Sequence, residues 1–406
     1  MEPSNPRPAS AALGGDTAIP ALARRIVRYP ERNMAVDFLR GVSILLVVYS
    51  HINALRPLGA PAIIPAGFLD IIRPNGGLGV SIFFVISGYL ITQNSLQRFG
   101  SLGQIRLRDF YAYRISRILP VLLLLVGINL VGAAFVLWGF VIPPSIPIPK
   151  LLGYVFTFRF NLLYLAGGAL LTAWAPLWSL AIEEVFYLSF PLLALVLRRT
   201  WLLVPLLLGL AIHGPLYRHT NGWGSFYLYL GCFDLLAIGC LTALASRHFG
   251  LATWAPWRLR GLQVLGATVL TVVYLTWDVH NDGNWSWLPT VMALGASAFL
   301  LGSPGTTTNP ARTVRRFVWP VCLAGFLSYE LYLFHLPALL VLKDPLHQLS
   351  EAAHLPLPPD IVFLLFIAVL TVFMGLLHTW FSEPSQRFIR RHSAPARIAP
   401  VPVPSS

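Results

Sequence analysis

An arginine and a histidine lie eleven positions apart in one apolar segment that runs from Arg40 to His51. On an α-helix that spacing is about three turns, which predicts both side chains on one face roughly 16 Å apart. A guanidinium and an imidazole are costly in a membrane-length stretch and need a reason to be there. The pair predicts a cationic anchor for an anionic donor at one depth and a proton-transfer group at another.

Other ionisable residues repeat the pattern. Glu183 and Glu184 are neighbours in the apolar string from Trp178 to Tyr187, and His335 follows Ser328, Tyr329 and Glu330 in another. A histidine that works as a base needs a group that sets its tautomer and stabilises its cation. A carboxylate at matched depth does that. Adjacent helical residues diverge by about 100°, so only one of the two glutamates faces His51, and Glu183 is the expected one. A basic cluster of Arg106, Arg108, Arg114 and Arg117 precedes a further apolar run. Arg114 and Arg117 are three apart and share a helix face; with Arg40 they suit phosphates, which arginine forks grip well.

Each of these residues also has a plainer use. Arg114 and Arg117 fit ordinary positive charges at a cytoplasmic membrane face. His51 fits a hydrogen bond to a neighbouring helix. Asp234 fits a structural partner for an arginine, and Glu330 a helix interface. Cys232, Cys240 and Cys322 all lie in apolar segments with no zinc-ligand spacing, so no metal is expected and each reads as a small buried hydrophobe.

The elements that must carry these groups are membrane helices. The chain has 406 residues, 56% hydrophobic and 11% charged, with a formal net charge of +13. A soluble domain carries about twice that share of charge. The basic residues fall in short clusters between apolar runs, which argues against nucleic acid and for a bilayer surface. Apolar runs of near-spanning length recur at 36–55, 77–96, 118–140, 177–197, 201–214, 226–246, 261–277, 287–303, 318–342 and 361–382. The predicted fold is all-α, a polytopic transmembrane bundle of about ten spans. A broken apolar piece at 151–171 reads as interfacial or re-entrant. With both termini cytoplasmic, the outer face collects only Arg56, Arg73, Lys150, Arg159, Arg218 and Lys343 of the 29 basic residues, which fixes the orientation. Residues 1–33 and 392–406 read as disordered cytoplasmic tails around a membrane domain over 34–391. In that frame His51, the Glu183–Glu184 pair and His335 share the outer half, and the arginine cluster lies at the cytoplasmic side.

At these residues the chain resembles the bacterial membrane acyltransferase-3 family. The segment Asp37 to Gly41 followed by His51 is similar to the family's opening motif. Gly77 to Ile91 is similar to its second-span signature, Tyr113-Arg114 with Arg117 and Pro120 to its paired-arginine motif, and Trp178 to Tyr187 to its most specific string. Ser328-Tyr329 with His335, and Glu383-Pro384, resemble its closing motifs. Two positions depart: Val185 stands where glutamine commonly follows the glutamate pair, and Gly231, Cys232 and Phe233 precede Asp234 where the family often has an arginine, which leaves Asp234 unassigned.

The resemblance implies acyl-CoA, by default acetyl-CoA, as donor from the cytoplasm and transfer to a hydroxyl of a surface glycan. A lipopolysaccharide or exopolysaccharide sugar, or a small secondary metabolite such as a macrolide, belongs to the same class of acceptor. It implies His51 as the essential histidine, with Arg40, Arg114 and Arg117 at the donor. Glu183 is expected to orient His51, and Glu184, Ser328, Tyr329 and His335 are further candidates. The expected location is the bacterial cytoplasmic (inner) membrane. The competing class is a transporter or flippase whose buried ions relay protons.

Overall fold

The computed structural model describes residues 33–52, 75–167, 171–276, 285–303, 312–352 and 358–393, and among them all regular structure is helical. The expected tails lie almost wholly outside the described residues. The helices are α1 Met34–His51, α2 Gly76–Phe99, α3 Leu107–Ala134, α4 Ile148–Phe156, α5 Phe160–Gly167, α6 Leu177–Leu197 and α7 Thr200–Asn221. They continue as α8 Phe233–His248, α9 Pro256–Thr276, α10 Leu288–Leu301, α11 Arg312–Phe326, α12 Ser328–Ala352, α13 Pro359–Leu377 and α14 Glu383–Ser393. A π turn over His378–Ser382 joins the last two.

Local chemistry explains several boundaries. Asn33 caps α1, its side-chain oxygen accepting from the Ala35 backbone N–H at 3.0 Å. Asn75 precedes α2 and its amide donates to the Tyr274 carbonyl at 3.0 Å, which ties the start of α2 to the end of α9. Prolines open α10 and α13, where a missing N–H costs nothing.

Among the described residues, each of the ten apolar runs carries helix. Among the same residues seven helices are long and apolar enough to cross a bilayer, with an eighth if α11 and α12 count as one. That pair corrects the ninth expected span: Phe317–Phe326 and Ser328–Leu342 meet at 79°. The break follows the contact that fixes α11 on α1. A Cβ on Gly325 would overlap the Asp37 carbonyl, so α11 lies backbone to backbone along α1, and the chain must turn at Leu327 to reach the interior face. The expected interruption at 151–171 appears as the short helices α4 and α5.

Burial ranks the helices. Within the apolar window of α2, 72% is buried, against 22% for α7 and 17% for α9. Thus α2 is central, while α7 and α9 present apolar faces outward, as lipid contact requires. The centre is tight because α2 and α8 approach through a reciprocal glycine pair. A Cβ on Gly88 would overlap the Leu236 carbonyl, and one on Gly239 the Val85 carbonyl.

Candidate active site

Two cavities lie along α2. The larger, about 600 Å³, follows its C-terminal stretch from Val80 to Phe99 and includes Arg40 of α1, Arg114 and Arg117 of α3, Glu183 and Glu184 of α6, and Ser328 and Tyr329 of α12. The smaller, about 240 Å³, meets the N-terminal end of α2 at Gly76 and contains His51 and His335. Val80 and Tyr332 line both. The face of α12 explains the link: Ser328, Tyr332 and His335 are spaced i, i+4, i+7, so one helix stripe passes from the first cavity to the second. Arg40 and His51 make the same passage on α1.

In the larger cavity, Arg114 is the hub. Its Nη2 donates to Glu183 Oε1 at 2.9 Å and to Glu184 Oε1 at 3.1 Å, and its guanidinium carbon stands 3.1 Å from the Tyr187 ring centroid. Ser87 Oγ donates to the same Glu183 oxygen at 2.8 Å, and the Tyr187 hydroxyl donates to the Ser87 carbonyl at 3.2 Å. Tyr329 donates to the Ile118 carbonyl at 3.1 Å, joining α12 to α3. Ser179 Oγ and the Tyr332 hydroxyl are 2.6 Å apart where the cavities meet. Charged groups on α3 and α6, with Ser87 of α2, thus form a fixed wall in a low-dielectric region, with the opposite charges of Arg114 and the glutamates in contact.

In the smaller cavity, His51 Nδ1 donates to the Val47 carbonyl of its own helix at 2.8 Å. That bond leaves Nε2 as the basic nitrogen, and His51 is exposed. His335 Nδ1 likewise donates to the Tyr332 carbonyl at 2.7 Å. Its Nε2 is buried with no hydrogen-bond partner among the described residues. The two rings are 5.2 Å apart, edge to face. Around them stand Tyr164, Trp178, Trp223, Phe226 and Tyr227. An orphaned buried nitrogen beside an accessible imidazole needs a reason, and a proton-handling pair supplies one.

Glu183, expected to orient His51, lines the larger cavity and not the smaller one that holds His51. A backbone carbonyl, not a carboxylate, sets the His51 tautomer, and Glu183 is bonded by Arg114 and Ser87 in the other cavity. Helix phase places a glutamate at a depth but does not say which neighbour it meets. The histidine that does stand beside His51 is His335. Ser87, Ser179, Tyr187 and Tyr332, none of them singled out by its own type in the sequence, all sit within the motif strings. In two other pairs the carboxylate had a structural reading but its partner had no local signal. Arg218 and Asp234, both fully buried, form a two-pronged ion pair at 2.9 Å, with Thr290 bonded to both. Arg218, expected at the outer surface, is instead buried in the bundle as the partner of Asp234. His378 of the π turn pairs with buried Glu330 at 2.8 Å.

The fold and the two cavities define a class: a polytopic membrane protein with a cationic chamber joined to a histidine chamber inside the bundle. The family model described as an acyltransferase domain matches residues 33–379, and the chain belongs to this acyltransferase-3 family of membrane O-acyltransferases. The chain is 24% identical over 352 residues to the peptidoglycan O-acetyltransferase OatA of Listeria monocytogenes, covering 81% of this chain and 53% of that protein. It is 26% identical over 350 residues to the O-acetyltransferase OatA of Staphylococcus aureus, covering 78% and 52%. The chain spans about half the length of these curated relatives. No solved structure matches.

Proposed function

We propose that this chain carries an acyl group, by default acetyl, from acyl-CoA on the cytoplasmic side to a hydroxyl of a surface glycan at the outer side of the inner membrane. The observation that carries the reading is the pair of cavities that meet at Tyr332, one rich in arginine and the other holding two histidines with basic Nε2 atoms. Arg40, Arg114 and Arg117 suit the donor's phosphates, and the pantetheine arm is similar in length to the Arg40–His51 separation. The aromatic rings around His51 offer apolar faces for a sugar ring, with few polar groups to fix its orientation. The name of the Listeria relative puts peptidoglycan sugars among the acceptors to try first, beside lipopolysaccharide and exopolysaccharide.

His51 is the catalytic residue of this reading. In the direct route its Nε2 takes the proton of the acceptor hydroxyl. The oxygen attacks the thioester carbon, the C–S bond breaks, and the leaving thiolate receives that proton. In the covalent route Nε2 itself attacks the thioester, the thiolate leaves, and the acyl-imidazolium passes its acyl group to the acceptor oxygen while His335 Nε2 takes the hydroxyl proton and returns it to the thiolate. Glu183 holds Arg114 in place in both. Radiolabelled acetyl-CoA without acceptor distinguishes them: a labelled wild-type protein and an unlabelled His51→Ala variant mean the covalent route.

The transporter class is tested in detergent. Thiol release from acetyl-CoA by purified protein without a sealed compartment is the expected result. Release only across sealed vesicles would instead favour transport.

A further inference from the structure

Three arginines from three helices surround one tyrosine at the end of the larger cavity farthest from His51. Arg98 is in the last turn of α2, Arg117 in α3 and Arg390 in α14. The guanidinium carbons of Arg98 and Arg390 stand 4.3 and 4.1 Å from the ring centroid of Tyr113. Arg98, Tyr113 and Arg117 line the cavity. Arg390 donates to Ser116 Oγ at 3.1 Å and to Gln386 Oε1 at 3.2 Å, both neutral, so its place is fixed without its charge being met. Among the described residues Arg98 and Arg117 form no ion pair. The carboxylates nearby are taken: Asp109 by Arg106, and Glu183 and Glu184 by Arg114.

Like charges gathered on one ring repel, and the ring's π face offsets only part of that. A doubly charged anion offsets the rest. Guanidinium forks from different helices match a terminal phosphate with three free oxygens better than a phosphodiester.

We propose that Arg98, Arg117 and Arg390, held around Tyr113, form a phosphate-monoester subsite at the cavity mouth that takes the 3′-phosphate of the acyl donor's ribose. The proposal rests on the acyl-CoA reading above and adds to it Arg98, Tyr113 and the C-terminal helix α14. It separates two anion sites: the monoester at the mouth, and the donor's diphosphate deeper, toward Arg40. An anionic lipid headgroup offers the same chemistry from a second source, and the test separates them.

Binding of coenzyme A and of dephospho-coenzyme A, which lacks only the 3′-phosphate, is measured by calorimetry on the purified full chain in phosphatidylcholine nanodiscs. Wild type is expected to prefer coenzyme A by about tenfold or more, the weight of one charge-assisted hydrogen bond. Arg98→Gln and Arg390→Gln are each expected to erase that preference while leaving dephospho-coenzyme A binding unchanged. Arg98→Gln breaks no hydrogen bond, so it serves even where loss of the Arg390–Ser116 bond unfolds α14. Equal binding of the two ligands by wild type overturns the subsite and leaves the acyl-CoA reading standing. Binding of neither overturns both. Phosphatidylglycerol in the nanodisc that abolishes the wild-type preference assigns the arginines to lipid and overturns the donor assignment.

Discussion

At the scale of single residues, the protein separates charge from chemistry. In the cationic chamber Arg114 is paired with Glu183 and Glu184, and the histidine chamber holds two imidazoles whose Nδ1 atoms are occupied by backbone carbonyls. Loss of His51 should therefore remove general-base or nucleophilic assistance. His51→Ala is expected to lower transfer by about 10²- to 10⁴-fold with normal thermal unfolding, read as acetyl ester formed on a glycan acceptor. The buried Arg218–Asp234 pair predicts the opposite split. Asp234→Ala leaves a guanidinium uncompensated in the bundle and is expected to destabilise by about 3–5 kcal/mol, seen as early unfolding in detergent, while a joint replacement of both by apolar residues recovers much of the loss. His51 was legible in the sequence because a lone imidazole in an apolar run is costly wherever it goes. The partner of Asp234 was not, because Arg218 lies sixteen residues upstream on another helix and reads as a loop charge.

At the scale of elements, backbone approach sets what the side chains can reach. The α2–α8 contact leaves no room at Gly88 or Gly239. Gly88→Leu is expected to destabilise by about 1–3 kcal/mol and to displace its neighbour Ser87, so that activity falls together with stability in a thermal-shift and turnover comparison. The helices themselves were legible, since each apolar run carries helix among the described residues, the ninth as two. The 79° turn between α11 and α12 was not. Neither Pro320 nor Pro337 marks it; both sit inside helices, and the turn instead follows the glycine contact of α11 with α1. That turn matters for function, because it aims the stripe of Ser328, Tyr332 and His335 along the line where the two cavities meet.

At the scale of the whole molecule, the proposed transfer requires the two chambers to open toward opposite sides of the membrane. The skew of basic residues predicts the arginine chamber on the cytoplasmic side. With the three buried cysteines replaced, Arg387→Cys is expected to react with an impermeant maleimide only in inside-out vesicles, and Asn221→Cys only in right-side-out ones. The orientation read from charge is the expectation that this labelling tests, whereas the all-helical bundle was legible from composition. The division into two cavities was not, because it depends on which helices face Tyr332, and a single sequence gives depth without azimuth.

The most direct test of the central claim is transfer of radiolabel from acetyl-CoA to a purified cell-wall or surface glycan by purified protein in detergent, with wild type and His51→Ala compared at equal fold integrity. Label on the glycan with wild type, and at least about a hundredfold less with the variant, is the predicted result. Undiminished transfer by His51→Ala would contradict it.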